Sequence, residues 1–338
     1  MKAVALKRYL PIADPEALLD VELPDPRPEG HDLLVRVHAV SVNPVDTKVR
    51  SPKEKTEAPP RVLGWDAAGV VEAVGPDVTL FRPGDAIFYA GSITRPGCDS
   101  ELHLVDERIV GRKPRSLDFA QAAAMPLTAL TAHEALFDRM SIDLGGRHKG
   151  RSLLIINGAG GVGSIAIQLA KLAGLHVIAT ASRPESQAWC RTMGANHVIN
   201  HREDLAQQLR TVGSPEVDYI FNTVNTGAYW TVMGDVIKPF GRMASIVETK
   251  EPVDLGRLMR KSVSFSWELM FTRAIFQTQD MLEQHRILTQ VSELLDAGRL
   301  RTTLTEKLSP ISAATLRAAH TKLESGTMVG KLALEGWG

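Results

Sequence analysis

The chain has 338 residues, 44% hydrophobic and 23% charged, the proportions of an ordinary soluble globular protein with one large or two smaller domains. Lys+Arg and Asp+Glu both number 39, so no net field draws the chain to nucleic acid or an anionic membrane. No apolar run approaches the ~20 residues that span a bilayer, and two cysteines, Cys98 and Cys190, give no disulfide framework. With a start at Met1–Lys7 too quickly charged for a signal peptide, the expected location is the cytoplasm.

Residues 1 to about 125 read as mostly β. An alternating strand lies within Leu33–Val42 and another at Gly69–Gly75. The turn Arg82-Pro83-Gly84-Asp85 leads into a third through Ile87, Phe88 and Tyr89. Ser51–Pro60 is polar and proline-rich and reads as an exposed loop. Helices are expected over Phe119–Met125 and Leu127–Phe137. From Arg151 the pattern becomes strand/helix alternation, with strands near 153–156, 176–181, 197–199, 217–221 and 243–247, which predicts an α/β fold with a doubly wound parallel sheet. Thr278–Ala297 has helical spacing, and Gly330–Leu334 reads as a returning strand.

The stretch that organises the chain is Leu153-Leu154-Ile155-Ile156 running into Asn157-Gly158-Ala159-Gly160-Gly161-Val162-Gly163. A buried-strand run, then Gly-x-Gly-x-x-Gly, then an apolar helix pattern from Ser164 is the context of a dinucleotide site. Gly158 is expected to make the tight turn, Gly160 to admit a pyrophosphate against the backbone, and Gly163 to let helix and strand pack closely. The N–H groups of Gly161, Val162 and Gly163, following Ala159, would then face phosphate.

The second strand ends Thr180-Ala181-Ser182-Arg183, with no acid to accept a ribose 2′-hydroxyl. Ser182 and Arg183 suit a 2′-phosphate, so NADPH is expected over NADH. Ser182 before Pro184 and Glu185 also reads as a helix N-cap, and the two roles are compatible. Val224 and Val247 follow predicted strand ends, where backbone groups suit the nicotinamide carboxamide.

Asn43-Pro44-Val45-Asp46, Gly64-Trp65-Asp66, Gly69-Val70-Val71, Val74-Gly75, Gly84-Asp85, Leu127–Ala132 and the glycine turn, in this order, resemble the zinc-free medium-chain dehydrogenase/reductase family, in its quinone oxidoreductase-like branch. The resemblance implies a GroES-like β-barrel catalytic domain over 1–126, a Rossmann domain inserted over 127–269, and a return to the catalytic domain over 270–338. It also implies a nicotinamide cofactor and a homodimer. The zinc-containing branch has Cys where this chain has Asn43 and His where it has Trp65, neither a plausible zinc ligand, so no metal is expected. His103 is expected as a strand surface residue rather than a ligand.

By the same resemblance, Asn43 reaches the nicotinamide ribose region, although Asn43 with Asp46 also forms a capping box. Thr128 contacts the carboxamide, or else caps its helix or packs in the core, and His201 lies near the adenosine end or on the ordinary surface. A Tyr that often follows the Asn-x-x-Asp segment is replaced by Lys48, a candidate to polarise a carbonyl or bind an acidic group, or an idle surface lysine. Asp66 and Tyr89 are further candidates, and Trp267–Phe271 with Phe276 walls a pocket, forms a dimer contact or packs the core. The expected activity is NADPH-dependent reduction of quinones or α,β-unsaturated carbonyl compounds. The rival reading is an NADPH-binding redox sensor or an RNA-binding protein of the zeta-crystallin type with little turnover, although balanced charge disfavours nucleic acid.

Overall fold

The computed structural model describes residues 1–338. The chain divides into two compact units, one of residues 1–130 with 271–338 and the other of residues 131–270.

The first unit is mostly β. In chain order its strands are β1 (Lys2–Tyr9), β2 (Leu19–Glu22), β3 (Asp32–Ser41), β4 (Lys53–Val62), β5 (Ala67–Val74), β6 (Ala86–Tyr89), β7 (Leu102–Asp106) and β8 (Val110–Arg112). Helix α1 (Pro44–Arg50) follows β3, and α2 (Phe119–Ala123) and α3 (Pro126–His133) follow β8. The expected loop at Ser51–Pro60 is instead strand β4, at the edge of the sheet β2-β1-β4. An edge strand exposed to water tolerates charge and proline, so composition alone does not distinguish it from a loop. The helix expected over Leu127–Phe137 is α-helical only to His133 and continues as a π-helical turn over Glu134–Arg139.

The second unit carries β9 (Ser152–Ile156), β10 (His176–Thr180), β11 (His197–Ile199), β12 (Val217–Asn222), β13 (Ile237–Ser245) and β14 (Ser264–Trp267). All pairings are parallel, in the order β11-β10-β9-β12-β13-β14. This is the doubly wound arrangement of two mononucleotide-binding halves meeting at β9 and β12. Parallel strands covered on both faces need continuous apolar runs, and Leu153–Ile156 is buried throughout. Helix α4 (Gly161–Leu172) returns from β9, and α5 (Pro184–Thr192), α6 (Leu205–Thr211) and α7 (Thr226–Val236) follow β10, β11 and β12. The sixth strand, β14, was not expected, because Ser264–Trp267 is half exposed at the sheet edge and has no buried run to mark it.

The chain then rejoins the first unit through α8 (Gly256–Met259, still in the second unit), α9 (Thr272–Phe276), α10 (Glu283–Asp296), β15 (Leu304–Leu308), α11 (Ala313–Glu324) and β16 (Lys331–Glu335). Strand β16 pairs antiparallel with β3, in a sheet ordered β15-β16-β3-β5-β6-β8, with β7 also on β3. His103, expected at the surface, is buried: Tyr89 stacks on it with its hydroxyl 3.0 Å from Nδ1, and Nε2 is 3.0 Å from the Pro96 carbonyl. That arrangement makes Nε2–H the donor to Pro96 and Tyr89 the donor to Nδ1.

Candidate functional site

In the second unit the glycine turn leaves the carboxyl end of β9. The left-handed residue there is Asn157, with φ of 65°, so the tight turn expected of Gly158 falls one residue earlier. Asparagine tolerates that conformation. Gly158 instead makes room for β10, since a Cβ there would lie 2.7 Å from the Ala179 Cβ. A Cβ on Gly163 would lie 2.4 Å from the Asn157 carbonyl oxygen, so helix and strand approach as closely as expected. Gly160 is the N-cap of α4, and no side chain caps its first turn. The opening N–H groups of Gly161, Val162 and Gly163 therefore lack a side-chain acceptor and present a positive helix end. Ala159 is buried beside them.

The end of β10 is tied to this turn. The Asn157 N–H donates to Thr180 Oγ1 at 2.9 Å, and the Gly158 N–H to the Thr180 carbonyl at 3.0 Å. His201 Nδ1 lies 3.4 Å from the same Thr180 hydroxyl. Burial, aided by the Arg202 charge, lowers the His201 pKa and favours the neutral imidazole. Ser182 is half-buried but is not the helix cap: Arg183 is the N-cap of α5, and its N–H donates to Ser186 Oγ at 3.2 Å. The cap falls one residue later than expected because Pro184 occupies N1 and leaves Arg183 extended before it. The Arg183 guanidinium is half-buried, with Nε 3.1 Å from Glu185 Oε1.

At the carboxyl ends of β12 and β13, the same end of the sheet as the glycine turn, the Val224 and Val247 carbonyls are held by side chains that no motif announced. Asn222 Nδ2 donates to the Val224 carbonyl at 3.0 Å, and the Thr226 hydroxyl donates to the Val247 carbonyl. Asn222, Thr226 and Ser245 are all fully buried.

In the first unit a buried polar cluster joins three distant segments. Lys331 Nζ, at the start of β16, donates to Asn43 Oδ1 at 2.6 Å, the Val42 carbonyl at 2.8 Å and Asp66 Oδ2 at 3.0 Å. Asn43 Nδ2 donates to Asp66 Oδ2 at 2.8 Å, with the Ser41 and Trp65 carbonyls at 3.3 and 3.4 Å. Asp66 Oδ1 accepts from the Leu127 N–H at 2.8 Å, in the first turn of α3. Asp46 Oδ2 accepts from the Asn43 N–H at 2.6 Å, the expected capping contact, while the buried Oδ1 has no hydrogen-bond partner.

Burial raises the Asp66 carboxyl, opposed by the Lys331 charge and by donors from Asn43 and Leu127. Burial likewise raises Asp46 to about 7, against the Asn43 N–H and the Lys331 charge. The Asn43 amide, expected to reach a cofactor, is buried and committed at both ends to internal partners. Thr128 is buried inside α3 with its hydroxyl donating to the Met125 carbonyl three residues back at 3.1 Å, a local side-chain-to-backbone bond and not a cap, which would accept from an N–H. Lys48 is exposed in the last turn of α1, where a cation complements the helix end. Nothing in the sequence marks Lys331, since a single lysine before Leu332-Ala333-Leu334 is an ordinary strand start.

Residues 29–115 match the alcohol dehydrogenase GroES-like domain family, and residues 161–284 match the zinc-binding dehydrogenase family. A zinc-type alcohol dehydrogenase-like protein of Staphylococcus aureus is 46% identical over 335 residues, covering 99% of each chain. Among solved structures, a candidate zinc-dependent alcohol dehydrogenase protein from Rhizobium etli superposes with a TM-score of 0.95 at 54% identity, covering 100% of this chain and 98% of that one. The Escherichia coli quinone oxidoreductase complexed with NADPH superposes with a TM-score of 0.83 at 26% identity, over 99% of this chain and 100% of that one.

Proposed function

The chain belongs to the medium-chain dehydrogenase/reductase family, in its quinone oxidoreductase-like branch, and we propose that it is an NADPH-dependent, zinc-free reductase of quinones or α,β-unsaturated carbonyl compounds. The observation that carries the cofactor half is the uncapped glycine turn at the end of β9 beside a second strand that ends without an acid. The N–H groups of Gly161, Val162 and Gly163 would hold the pyrophosphate, and Ser182 and Arg183 the 2′-phosphate. His201 would flank the adenosine ribose as a neutral ring. The Val224 and Val247 backbone would orient the carboxamide. When bound, the dihydronicotinamide supplies hydride to an electron-poor carbon.

A catalytic zinc does not fit the first unit's donor set. The Trp65 indole N–H donates to the Ser92 carbonyl at 3.1 Å and has no lone pair to offer. The oxygens of Asn43 and Asp66 already solvate the Lys331 ammonium. A conjugated acceptor delocalises arriving charge and so needs no Lewis acid, which supports quinones and enones over simple alcohols. Asn43 is proposed to act by holding the surrounding backbone rather than by touching the reacting atoms, with Thr128 at the start of α3 supported in the same way through Asp66. Lys48 is the exposed cation proposed to meet a carbonyl or acidic group of the substrate. A homodimer is proposed through the open edge of β14.

The test is oxidation of NADPH and NADH against a panel of quinones and enones, with metal analysis of the same preparation. Turnover favouring NADPH, without stoichiometric zinc, is expected. Stoichiometric zinc with alcohol oxidation would overturn the reading. Tight NADPH binding without turnover on any acceptor would assign the sensor role instead.

A further inference from the structure

Three buried polar side chains at the ends of β12 and β13 form a closed hydrogen-bond unit. Asn222 and Ser245 face each other in the parallel register, and Thr226 opens the helix that follows β12. Asn222 Nδ2 lies 3.0 Å from Ser245 Oγ, 3.1 Å from Thr226 Oγ1 and 3.0 Å from the Val224 carbonyl. The Thr226 and Ser245 hydroxyls are 2.5 Å apart, and Thr226 also meets the Val247 carbonyl. Asn222 Oδ1 accepts from the Val224 N–H at 3.3 Å.

The proton count closes when Thr226 gives its single proton to Val247, Ser245 gives its own to Thr226, and Asn222 gives its two protons to Val224 and to one of the two hydroxyls, with the Asn222 carbonyl a longer second acceptor for Ser245 at 3.4 Å. Every donor is used, which is the condition under which a buried polar group stabilises rather than costs.

The consequence falls on the backbone. The Val224 N–H is consumed by Asn222, so this segment offers a ligand no donor there. The Val224 and Val247 carbonyls each spend one lone pair on the side chains and keep a second. The Val224 and Val247 carbonyls are thereby held in place as hydrogen-bond acceptors.

We propose that Asn222, Thr226 and Ser245 are positioning residues that set the Val224 and Val247 carbonyls to accept from the amide NH₂ of a nicotinamide carboxamide, making the site selective for that amide. This rests on the nicotinamide reading of the second unit. The side chains touch no cofactor atom themselves.

The experiment measures binding of three probes by titration calorimetry: NADPH, its 3-acetylpyridine analogue, which lacks the NH₂, and 2′-phospho-ADP-ribose, which lacks the nicotinamide ring. Wild type is expected to prefer NADPH over the acetyl analogue. Thr226→Val, similar in shape but without the hydroxyl, is expected to weaken NADPH by about tenfold, the scale of one lost buried hydrogen bond. It should leave 2′-phospho-ADP-ribose unchanged and shrink the preference over the acetyl analogue. Ser245→Ala, which adds no atoms to the buried unit and leaves the Thr226–Val247 contact, is expected to do the same more weakly and serves if Thr226→Val does not fold. Equal weakening of all three probes would overturn the proposal in favour of general structural support, as would no change in any. Failure of wild type to bind any probe would overturn the cofactor reading itself, whereas wild-type binding of 2′-phospho-ADP-ribose with indifference between NADPH and the acetyl analogue would overturn this inference alone.

Discussion

Lys331 and Asp66 form an ion pair of 3.0 Å with both side chains buried, joining the first residue of the last strand to the residue before β5. Asn43 bridges them, accepting from Lys331 and donating to Asp66. Removing one partner of such a pair strands the other charge away from water. Lys331→Met is therefore expected to destabilise the protein by about 3–5 kcal/mol in denaturant unfolding. Adding Asp66→Asn should recover part of that loss, because it removes the stranded carboxylate. A double variant no better than Lys331→Met would show that the charge pairing is not what matters.

Asp46 holds its proton up to about pH 7 in the folded chain, whereas an unfolded aspartate releases it near ~4. The folded state therefore binds more protons between these values. The stability contributed by this group is full below about pH 4 and is lost as pH rises through 7. Asp46→Asn, which keeps an acceptor for the Asn43 N–H, should gain stability relative to wild type across that window, on the order of 2–4 kcal/mol. His103, lowered to about 4 by burial, works in the opposite sense and stabilises as pH rises. Thermal melts of Asp46→Asn against wild type from pH 4 to 8 isolate the Asp46 contribution, and a pH-independent difference between the two refutes the assignment.

Arg183 supplies the only cation within the Ala181-Ser182-Arg183 end of β10, and its present partner is the exposed Glu185. Arg183→Ala should raise KM for NADPH by roughly tenfold, the worth of one charge-assisted hydrogen bond, and leave KM for NADH nearly unchanged. Parallel rises for both cofactors would remove Arg183 from 2′-phosphate recognition.

Lys48 lies exposed in the last turn of α1, so its replacement should cost little stability. If it polarises the acceptor, Lys48→Met lowers kcat at least about tenfold with KM for NADPH unchanged. An unaltered kcat leaves it the role of a cation at a helix end.

Strand β14 is an open edge of the parallel sheet, and Trp267 on it is 50% exposed. An apolar, unpaired edge invites a second chain. The wild-type protein should run as a dimer in light scattering, and Trp267→Lys should shift it toward monomer. A monomeric wild type ends the proposal.

The chain determined by its own pattern what depends on local periodicity. Leu153–Ile156 before the glycines, and the alternation after Arg151, are enough to specify a parallel sheet whose first strand runs through a glycine turn into a helix, since a parallel strand covered on both faces is dominated by apolar residues. The absence of an acid at Ala181, the Asn43–Asp46 cap and the replacement of zinc ligands by Asn43 and Trp65 are likewise facts of residue identity. Tertiary structure decided what depends on partners far apart in the chain. Lys331 meets Asn43 across 288 residues, and no local pattern distinguishes it from a surface lysine. The burial of His103, the edge position of β4 and the closed unit of Asn222, Thr226 and Ser245 arise the same way. A polar side chain reveals its role only when the donor or acceptor that completes it has been brought into reach.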